Sequence, residues 1–323
     1  MFENRLLLAL IVVIGVPAAT VAYAWLVEAV LGRIRPTVAR GLRPWLWTGP
    51  VLLLLLVYLI YPTINTFIIS FFNANSTEWV GLANYEFIFT NNAVLIALRN
   101  NLLWLVFLTL FTVVFGLLFA ILFDRVRYES VVKSLIFLPM AISFVAAGVI
   151  WRIMYDYQPP GQDQTGTLNA LVTAFGGNPV AWLIERPENN FALIAVAVWI
   201  WTGFALVVLS AALKGIPVEI IEAAKVDGAN ELQILLRVTL PMMGSTIAVV
   251  ATTMVIYALK AFDVVYVMTN GNFGTEVMAN RMYKEMFNFT HFGRASAIAT
   301  VLLLAIVPIM IINIRRFRQQ EQM

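Results

Sequence analysis

A short polar segment at residues 222–229 carries concentrated chemistry in a chain that is otherwise strongly apolar. It reads EAAKVDGA, so Glu222, Lys225 and Asp227 stand among alanines beside Gly228. Small side chains permit close approach of another backbone, carboxylates offer charge, and glycine adopts the left-handed conformation that ends a helix. This spacing predicts a protruding turn that docks into a groove on a partner protein.

Local signals around this segment predict two short helices joined by the turn. Pro217 suits a first helical turn, and Glu219 complements the positive end of a helix running to about residue 226. A second helix is predicted over 230–238. The alternative is an amphipathic helix lying on the lipid surface. Such helices usually carry Lys and Arg on their polar face, whereas this segment is rich in carboxylates.

Residue types elsewhere argue against enzymatic chemistry. The chain has no cysteine, which excludes thiol catalysis and cysteine-bound metal sites. It has a single histidine, His291. No G-x-x-x-x-G-K-[ST] loop is present to cradle a nucleotide phosphate. We therefore predict no catalytic residue, no metal site and no nucleotide hydrolysis in this chain.

The composition places these residues in a membrane protein. Of 323 residues 61% are hydrophobic and 12% are charged, against roughly 45–50% and 25% in ordinary soluble domains. Apolar runs of about 20 residues cross a bilayer as helices, because backbone polar groups in lipid must be satisfied internally. We expect an all-α integral membrane protein with about seven transmembrane helices. The runs cover residues 6–31, 45–72, 102–123, 134–155, 191–213, 242–262 and 295–314.

The first apolar run has features of a signal peptide. Arg5 precedes it, and Ala22-Tyr23-Ala24 has the small-residue pattern of a cleavage site. The run continues to about Leu31, which favours a retained helix. The first span and the basic loop after it thus occupy residues 1–44, and the other six spans lie within residues 45–323; the family resemblance described below implies that the first is an extra helix and that 45–323 is the family's six-helix domain.

Basic residues predict the orientation, because cytoplasmic loops carry an excess of Lys and Arg. The loops at 32–44 and 124–133 and the C-terminal tail are basic, whereas those at 73–101 and 156–190 hold one basic residue each. We expect the basic segments and the loop 214–241 in the cytoplasm, and the N-terminus and the loops at 73–101 and 156–190 outside. With seven spans the loop 263–294 is also on the outer side, although Arg281, Lys284 and Arg294 depart from the trend there. Residues 264–274 are a candidate for re-entering the membrane. The basic residues concerned are Arg33, Arg35, Arg40, Arg43, Arg125, Arg127, Lys133, Arg315, Arg316 and Arg318.

The polar segment resembles the EAA loop of permease subunits in bacterial ABC importers. EAAKVDGANELQILLRVTLP (222–241) has the family's E-A-A, its D-G-A and an apolar helix ending in L-P, placed before the penultimate span. WVGLANYEFIF (79–89) and FLPMAISFVAAGVIWRIMY (137–155) are similar to sugar permeases. Residues 261–287 are also similar to sugar permeases. The segment NFGTEVMANRMYKEMFNFTHFGRASAIA (272–299) resembles in particular the α-glucoside and glucosylglycerol permeases of the maltose-type first permease group.

This resemblance implies a transport subunit. Two permease chains would form the pathway, two ATPase subunits would bind ATP and Mg, and an extracytoplasmic binding protein would deliver the sugar. No cofactor is implied for this chain, and no nucleic-acid partner. The implied location is the bacterial inner membrane, with lipid around the chain. By position, the turn that docks on an ATPase subunit would comprise Glu222, Ala223, Ala224, Asp227, Gly228 and Ala229.

The substrate residues follow from chemistry and resemblance together. Sugar sites combine aromatic faces with a few hydrogen-bonding groups. In the maltose-type pattern the fifth and sixth spans supply them, but this chain has Ala258 and Ala261 where that pattern has amides. Helix packing or an interfacial belt is the alternative for each aromatic residue. The candidates are Trp201, Phe204, Tyr257, Lys260 and Asp263.

Other transport or signalling roles are weighed by what they require. An ion-coupled carrier needs ionisable groups inside its spans. Glu28, Lys260 and Asp263 are candidates, but all lie near predicted span ends. A scaffold or receptor leaves the carboxylate-rich turn unexplained. The sequence therefore favours an ATP-driven sugar importer.

Overall fold

The chain is helical in the computed structural model, which describes residues 2–124 and 126–320 and the side-chain surroundings of residues 11–124 and 126–312. In chain order the helices are α1 (Phe2–Leu31), α2 (Pro36–Ile69), α3 (Ala83–Thr90), α4 (Asn92–Phe123), α5 (Glu129–Ala141), α6 (Phe144–Met154), α7 (Thr167–Ala174), α8 (Glu188–Lys214), α9 (Val218–Val226), α10 (Glu231–Met242), α11 (Gly244–Leu259), α12 (Asp263–Met268), α13 (Met278–Tyr283) and α14 (Phe292–Gln320).

The number of membrane spans agrees with the sequence. Among the described residues, five helices are individually long and apolar enough to cross a membrane, and up to seven spans result when each of two bent pairs counts as one. These pairs are α5 with α6 and α10 with α11. The expected all-α membrane fold with about seven spans is confirmed.

One expected loop is shorter than predicted. Helix α2 begins at Pro36, so most of the basic segment 32–44 is helical. Proline at the first helical position has the required φ and loses no hydrogen bond there. Farther along α2, residues Leu56–Ile60 are π-helical. Pro62 follows and has no N–H to offer the carbonyl four residues earlier, which accounts for the altered turn.

Contacts divide the chain into two compact units that meet after Thr66, inside α2. In the first unit, the Glu28 carboxylate on α1 holds two residues of α2. Arg43 Nη2 lies 2.7 Å from Oε2, and Trp47 Nε1 donates to Oε1 at 3.2 Å. The sequence predicts a different division, after residue 44, between the first helix with its basic loop and the six-helix domain. That division stays a prediction.

In the second unit, α8 is the central helix and packs closely on α4 and α5. A Cβ at Gly116 on α4 would lie 2.5 Å from Ala205 Cβ on α8. A Cβ at Gly203 would lie 2.6 Å from the Ile136 carbonyl oxygen on α5. Glycine at both positions therefore permits helix contacts that a larger residue would push apart.

The span predicted over 134–155 consists of two helices at an angle. Helices α5 and α6 are bent by 100° at Ile142–Ser143. Ser143 caps α6 by accepting from the Ala146 N–H at 3.1 Å. A continuous apolar run conceals this break, although Pro139 and Ser143 are local signals for it. The other bent pair turns by 68° at Met243.

Loops predicted to face outward meet at one end of the second unit. Asn100 Nδ2 donates to the Gly274 carbonyl at 2.7 Å, and Asn189 Nδ2 donates to the Phe273 carbonyl at 2.9 Å. The Phe292 N–H donates to the Ala74 carbonyl at 3.0 Å. These bonds join the loops around residues 73–101, 156–190 and 263–294. Which end faces the cytoplasm stays a prediction.

Some predicted residues lie outside the described part of the chain. Arg125 is one of them. The side chains of Arg5, Arg315, Arg316 and Arg318 are also outside it. The candidate re-entrant segment begins with the short helix α12 and continues through a turn at 270–275. Its depth relative to a bilayer stays a prediction.

Candidate functional site

The polar segment forms the two short helices joined by a turn that the sequence predicts. Helix α9 begins one residue after Pro217, with Glu219 in its first turn. It ends at a left-handed glycine, since φ of Gly228 is +83°. The Gly228 N–H donates to the Lys225 carbonyl and the Ala229 N–H to the Ala224 carbonyl, both at 3.0 Å. These two bonds satisfy the last carbonyls of the helix in the manner of a Schellman motif.

The second helix starts with a capping box. Asn230 Oδ1 accepts from the Gln233 N–H at 2.8 Å, and Gln233 Oε1 accepts from the Asn230 N–H at 2.9 Å. Lys225 Nζ reaches Glu231 Oε1 at 3.2 Å across the turn. The conformation of the turn is therefore fixed by its own residues. A π-helical stretch at Leu235–Thr239 precedes Pro241, as a second one precedes Pro62 in α2.

The turn presents charge and apolar surface away from the rest of the unit. Glu222 and Asp227 are exposed, and among the described residues neither forms an ion pair within 4.0 Å. Val226 is 88% exposed and Leu232 is 63% exposed. The two helices and their turn therefore expose both carboxylates and apolar side chains.

A cleft separates the turn from the helices beside it. The cleft has a volume of about 630 Å³ and lies between the ends of α4 and α8 on one side and α9 with α10 on the other. Lys214, Asp124 and Glu231 are charged residues in its lining. Helix α9 is therefore attached to the bundle mainly through the chain at 214–217 and through α10.

The predicted substrate residues include three that the structure brings together. The rings of Trp201 and Tyr257 lie 4.9 Å apart in an edge-to-face arrangement, and those of Trp201 and Phe204 lie 5.8 Å apart. Trp201 is midway along α8, whereas Tyr257 is near the end of α11. Trp201 thus links the other two aromatic residues, which the sequence placed on separate helices.

Phe144 is a fourth member of this cluster, and sequence reasoning missed it. It is the first residue of α6, immediately after the break. Its ring lies 5.4 Å from that of Tyr257 and 6.0 Å from that of Trp201. In secondary transporters, a different class of membrane protein, substrate sites are often built where a spanning helix is interrupted. The Pro139 and Ser143 signals for a break could have drawn attention to Phe144.

Lys260 and Asp263 lie beyond the aromatic cluster, toward the end where the predicted outer loops meet. Lys260 is exposed and follows the last residue of α11, and Asp263 begins α12. Ala258 and Ala261 are fully buried in the core around α8. Amides at these two positions would face packed side chains.

The comparisons with known proteins agree on one family. Residues 112–317 match the family of binding-protein-dependent transport system inner membrane components. The osmoprotective compounds uptake permease protein GgtC of Synechocystis sp. is 58% identical over 86% of this chain and its own full length. The alpha-glucoside transport system permease protein AglF of Rhizobium meliloti is 43% identical over 98% of this chain and 99% of its own.

The fold is also that of a solved transporter. A bacterial alginate ABC transporter, solved with an alginate pentasaccharide-bound periplasmic protein, contains a chain with a TM-score of 0.75. The match covers 87% of this chain and 96% of that one, at 21% identity.

The chain therefore belongs to the family of binding-protein-dependent transport system inner membrane components. It is a multi-pass membrane protein and the permease subunit of an ABC importer, a transport component and not an enzyme. This membership excludes the alternative of an ion-coupled carrier.

Proposed function

We propose that this permease forms half of a pathway for a small sugar, of the α-glucoside, disaccharide or glucosylglycerol type, and that the turn at 222–229 couples it to an ATPase subunit. The observation that carries the coupling role is the shape of the turn. A Schellman motif and a capping box hold an exposed, carboxylate-bearing turn in one conformation without help from the bundle. A surface organised in this way loses little entropy when a partner binds it.

The partner surface that fits the turn is a groove with basic and apolar lining. Glu222 and Asp227 offer two carboxylates without ion-pair partners among the described residues, and Val226 offers an exposed apolar side chain between them. A docked ATPase subunit would bury Val226 and pair the carboxylates with cations. ATP and Mg would be bound by the ATPase subunits, so the movement of the turn is this chain's share of the energy conversion.

The aromatic cluster supports a sugar as the transported solute. Phe144, Trp201 and Tyr257 bring three rings together at the break between α5 and α6. Aromatic faces match the apolar side of a sugar ring, and the hydroxyl of Tyr257 and the ammonium of Lys260 are hydrogen-bonding groups. The names of GgtC and AglF indicate osmoprotective compounds and α-glucosides for those relatives, which supports a small glucoside here.

The remaining partners follow from the family. We propose a second permease subunit to complete the pathway, two ATPase subunits on the cytoplasmic side, and an extracytoplasmic solute-binding protein. The inner membrane of a bacterium would hold the complex, with the N-terminus outside and the C-terminus in the cytoplasm. The basic loops support this orientation.

The substrate proposal is tested by uptake in cells that carry the complete importer. Labelled glucosylglycerol, a panel of α-glucosides and an unrelated amino acid are offered to wild type and to a Phe204→Ala, Tyr257→Ala double variant. We expect uptake of one glucoside class to fall in the double variant while the complex still assembles and keeps its basal ATP hydrolysis. Tyr58→Ala, at an exposed tyrosine of α2, is the matched control.

Two results would contradict the substrate proposal. Uptake at the wild-type rate in the double variant would mean that these aromatics only pack, and that the sugar pauses elsewhere or on the second permease. Uptake of the amino acid but no glucoside by wild type would contradict the substrate class itself.

A further inference from the structure

A cluster of charged side chains joins α5 to α8 near α9, the helix that leads into the docking turn. Glu129, in the first turn of α5, accepts from Lys214, the last residue of α8, with Nζ 2.6 Å from Oε1 and 2.8 Å from Oε2. The same carboxylate pairs with Lys133 one turn farther along α5. Lys133 also donates to the hydroxyl of Ser210 on α8. Two residues of α5 are thus fastened to two residues of α8.

This cluster is more sheltered than an ordinary surface ion pair. The side chains of Glu129 and Lys133 are 20% and 16% exposed, and Ser210 is buried. Exposed ion pairs contribute little to stability, whereas loss of one partner from a sheltered pair leaves the other charge without compensation. Lys214 is 51% exposed and also lines the cleft beside α9, so it connects the cluster to the coupling region.

Close backbone packing extends the connection along α5. Nearer the N-terminus of α8, Gly203 lies very close to α5. A Cβ there would be 2.6 Å from both the Ile136 carbonyl oxygen and Phe137 Cα. Helices in such close contact resist separate displacement, because interiors are close-packed. We therefore expect helix α5 and the adjoining half of α8 to move as one rigid body.

The two ends of this rigid body lie at the two functional sites. At one end, three residues separate Lys214 from α9, the helix that leads into the docking turn. At the other end, α5 stops at the 100° break, and Phe144 follows with its ring against Trp201 and Tyr257. Glu129 binds Lys214 and therefore joins the start of α5 to the end of α8 that is nearest to α9.

We infer that Glu129, with Lys133 and Lys214, is a latch that passes movement of the docking turn to the broken span and so to the aromatic cluster. These are positioning residues: they act through α5 and touch neither the sugar nor the ATPase. The inference rests on the proposed coupling role of the turn. Movement of the docking turn would then reach the aromatic cluster through α5 as well as directly along α8.

A purely structural role makes a different prediction. Glu129 at a helix start and Lys214 at a helix end also complement the helix dipoles. If that were their only role, their loss would lower the amount or thermal stability of the complex. The number of sugars moved per ATP hydrolysed would not change in the complexes that assemble. The transport-to-hydrolysis ratio therefore separates the two roles.

The test uses the complete importer in liposomes with its binding protein and sugar. Glu129→Gln and Lys214→Met remove one charge each, and Lys214→Arg keeps the cation. We expect the first two variants to keep basal ATP hydrolysis and to lose at least about fivefold in sugar moved per ATP, the factor for a bias of one kcal/mol. Lys214→Arg should retain most of the wild-type ratio of sugar moved per ATP. Glu28→Gln, which breaks the ion pair to Arg43 in the first unit, is the matched control.

A covalent replacement of the latch gives an independent readout. Because the chain has no cysteine, Glu129→Cys with Lys214→Cys can be bridged by a short bis-methanethiosulfonate. We expect a low transport-to-hydrolysis ratio before bridging and recovery after it. An unchanged ratio in Glu129→Gln and Lys214→Met overturns the latch, as does a lowered ratio that bridging fails to raise. If Glu129→Gln and Lys214→Met both fail to assemble, and bridging of the two cysteines does not recover assembly, the residues have a structural role. That result also overturns the latch.

The latch and the coupling turn fail in distinguishable ways. If Glu222→Lys keeps full stimulated hydrolysis, the turn is not the coupling element and the proposed function is wrong at that point. If Glu222→Lys loses stimulation while Glu129→Gln keeps a normal ratio, the turn stands and only the latch is refuted.

Discussion

Replacement of Gly228 by alanine isolates the backbone conformation of the docking turn. Gly228 has φ +83°, and a Cβ added there would meet no heavy atom within 4 Å. Steric crowding is therefore absent, and the cost of alanine is the left-handed conformation alone. That conformation costs an L residue roughly 1–2 kcal/mol. The equilibrium ratio of the docking conformation to all other conformations of the turn should fall by a factor of about 5–30.

The assay is the affinity of purified ATPase subunits for the detergent-solubilised permease pair. Gly228→Ala should weaken this affinity by up to this factor of about 5–30, because only the docking conformation binds. Gly228→Asn should weaken it less, since asparagine tolerates the left-handed region. Gly244→Ala is the matched control: Gly244 is also exposed and has no atom within 4 Å of an added Cβ, but its φ is not positive.

Two results would refute this reasoning. Equal affinities for Gly228→Ala and Gly244→Ala would mean that the left-handed turn does not control docking. A greater loss with Gly228→Asn than with Gly228→Ala would mean that side-chain size, and not backbone strain, limits the contact.

The remaining predictions concern the close packing of helices and the orientation of the chain. Gly203→Ala should lower the thermal unfolding midpoint relative to Gly244→Ala, because overpacking costs roughly 1–3 kcal/mol where backbone atoms must shift; equal midpoints would contradict the rigid contact between α5 and α8. A cysteine at exposed Thr37 should resist an impermeant maleimide in intact cells, whereas one at exposed Gln162 should react; the reverse labelling would contradict the predicted orientation.

The docking turn could be predicted closely because helix ends depend on neighbouring residues. Pro217 and Gly228 gave the limits of α9 to within one residue, and the second helix began where expected. Its capping box is formed by Asn230 and Gln233, three residues apart. Signals of this kind act within one turn of helix and need no knowledge of the rest of the fold.

The membrane spans could be counted but not shaped from the sequence. Apolar runs give the number of crossings because lipid demands them. They do not show where a helix changes direction, so the 100° break inside residues 134–155 was missed. An apolar run looks the same whether its helix is straight or interrupted.

Contacts between distant residues were the least predictable part. Trp201 and Tyr257 were named through chemistry and resemblance, but Phe144 joins them only because α6 starts at the break. Glu129 and Lys214 are 85 positions apart in the chain. Neither belongs to a recognisable motif, so only the packing of α5 on α8 reveals their contact.

The central claim is that this permease takes its energy from ATPase subunits through the turn at 222–229. The most direct test is ATP hydrolysis stimulated by sugar-loaded binding protein, measured on the reconstituted importer with Glu222→Lys. The matched control is Glu86→Lys, at an exposed glutamate of α3 near the opposite end of the second unit. We predict that stimulation is lost in Glu222→Lys and kept in Glu86→Lys. Full stimulation in Glu222→Lys would contradict the claim, as would sugar uptake that continues without the ATPase subunits.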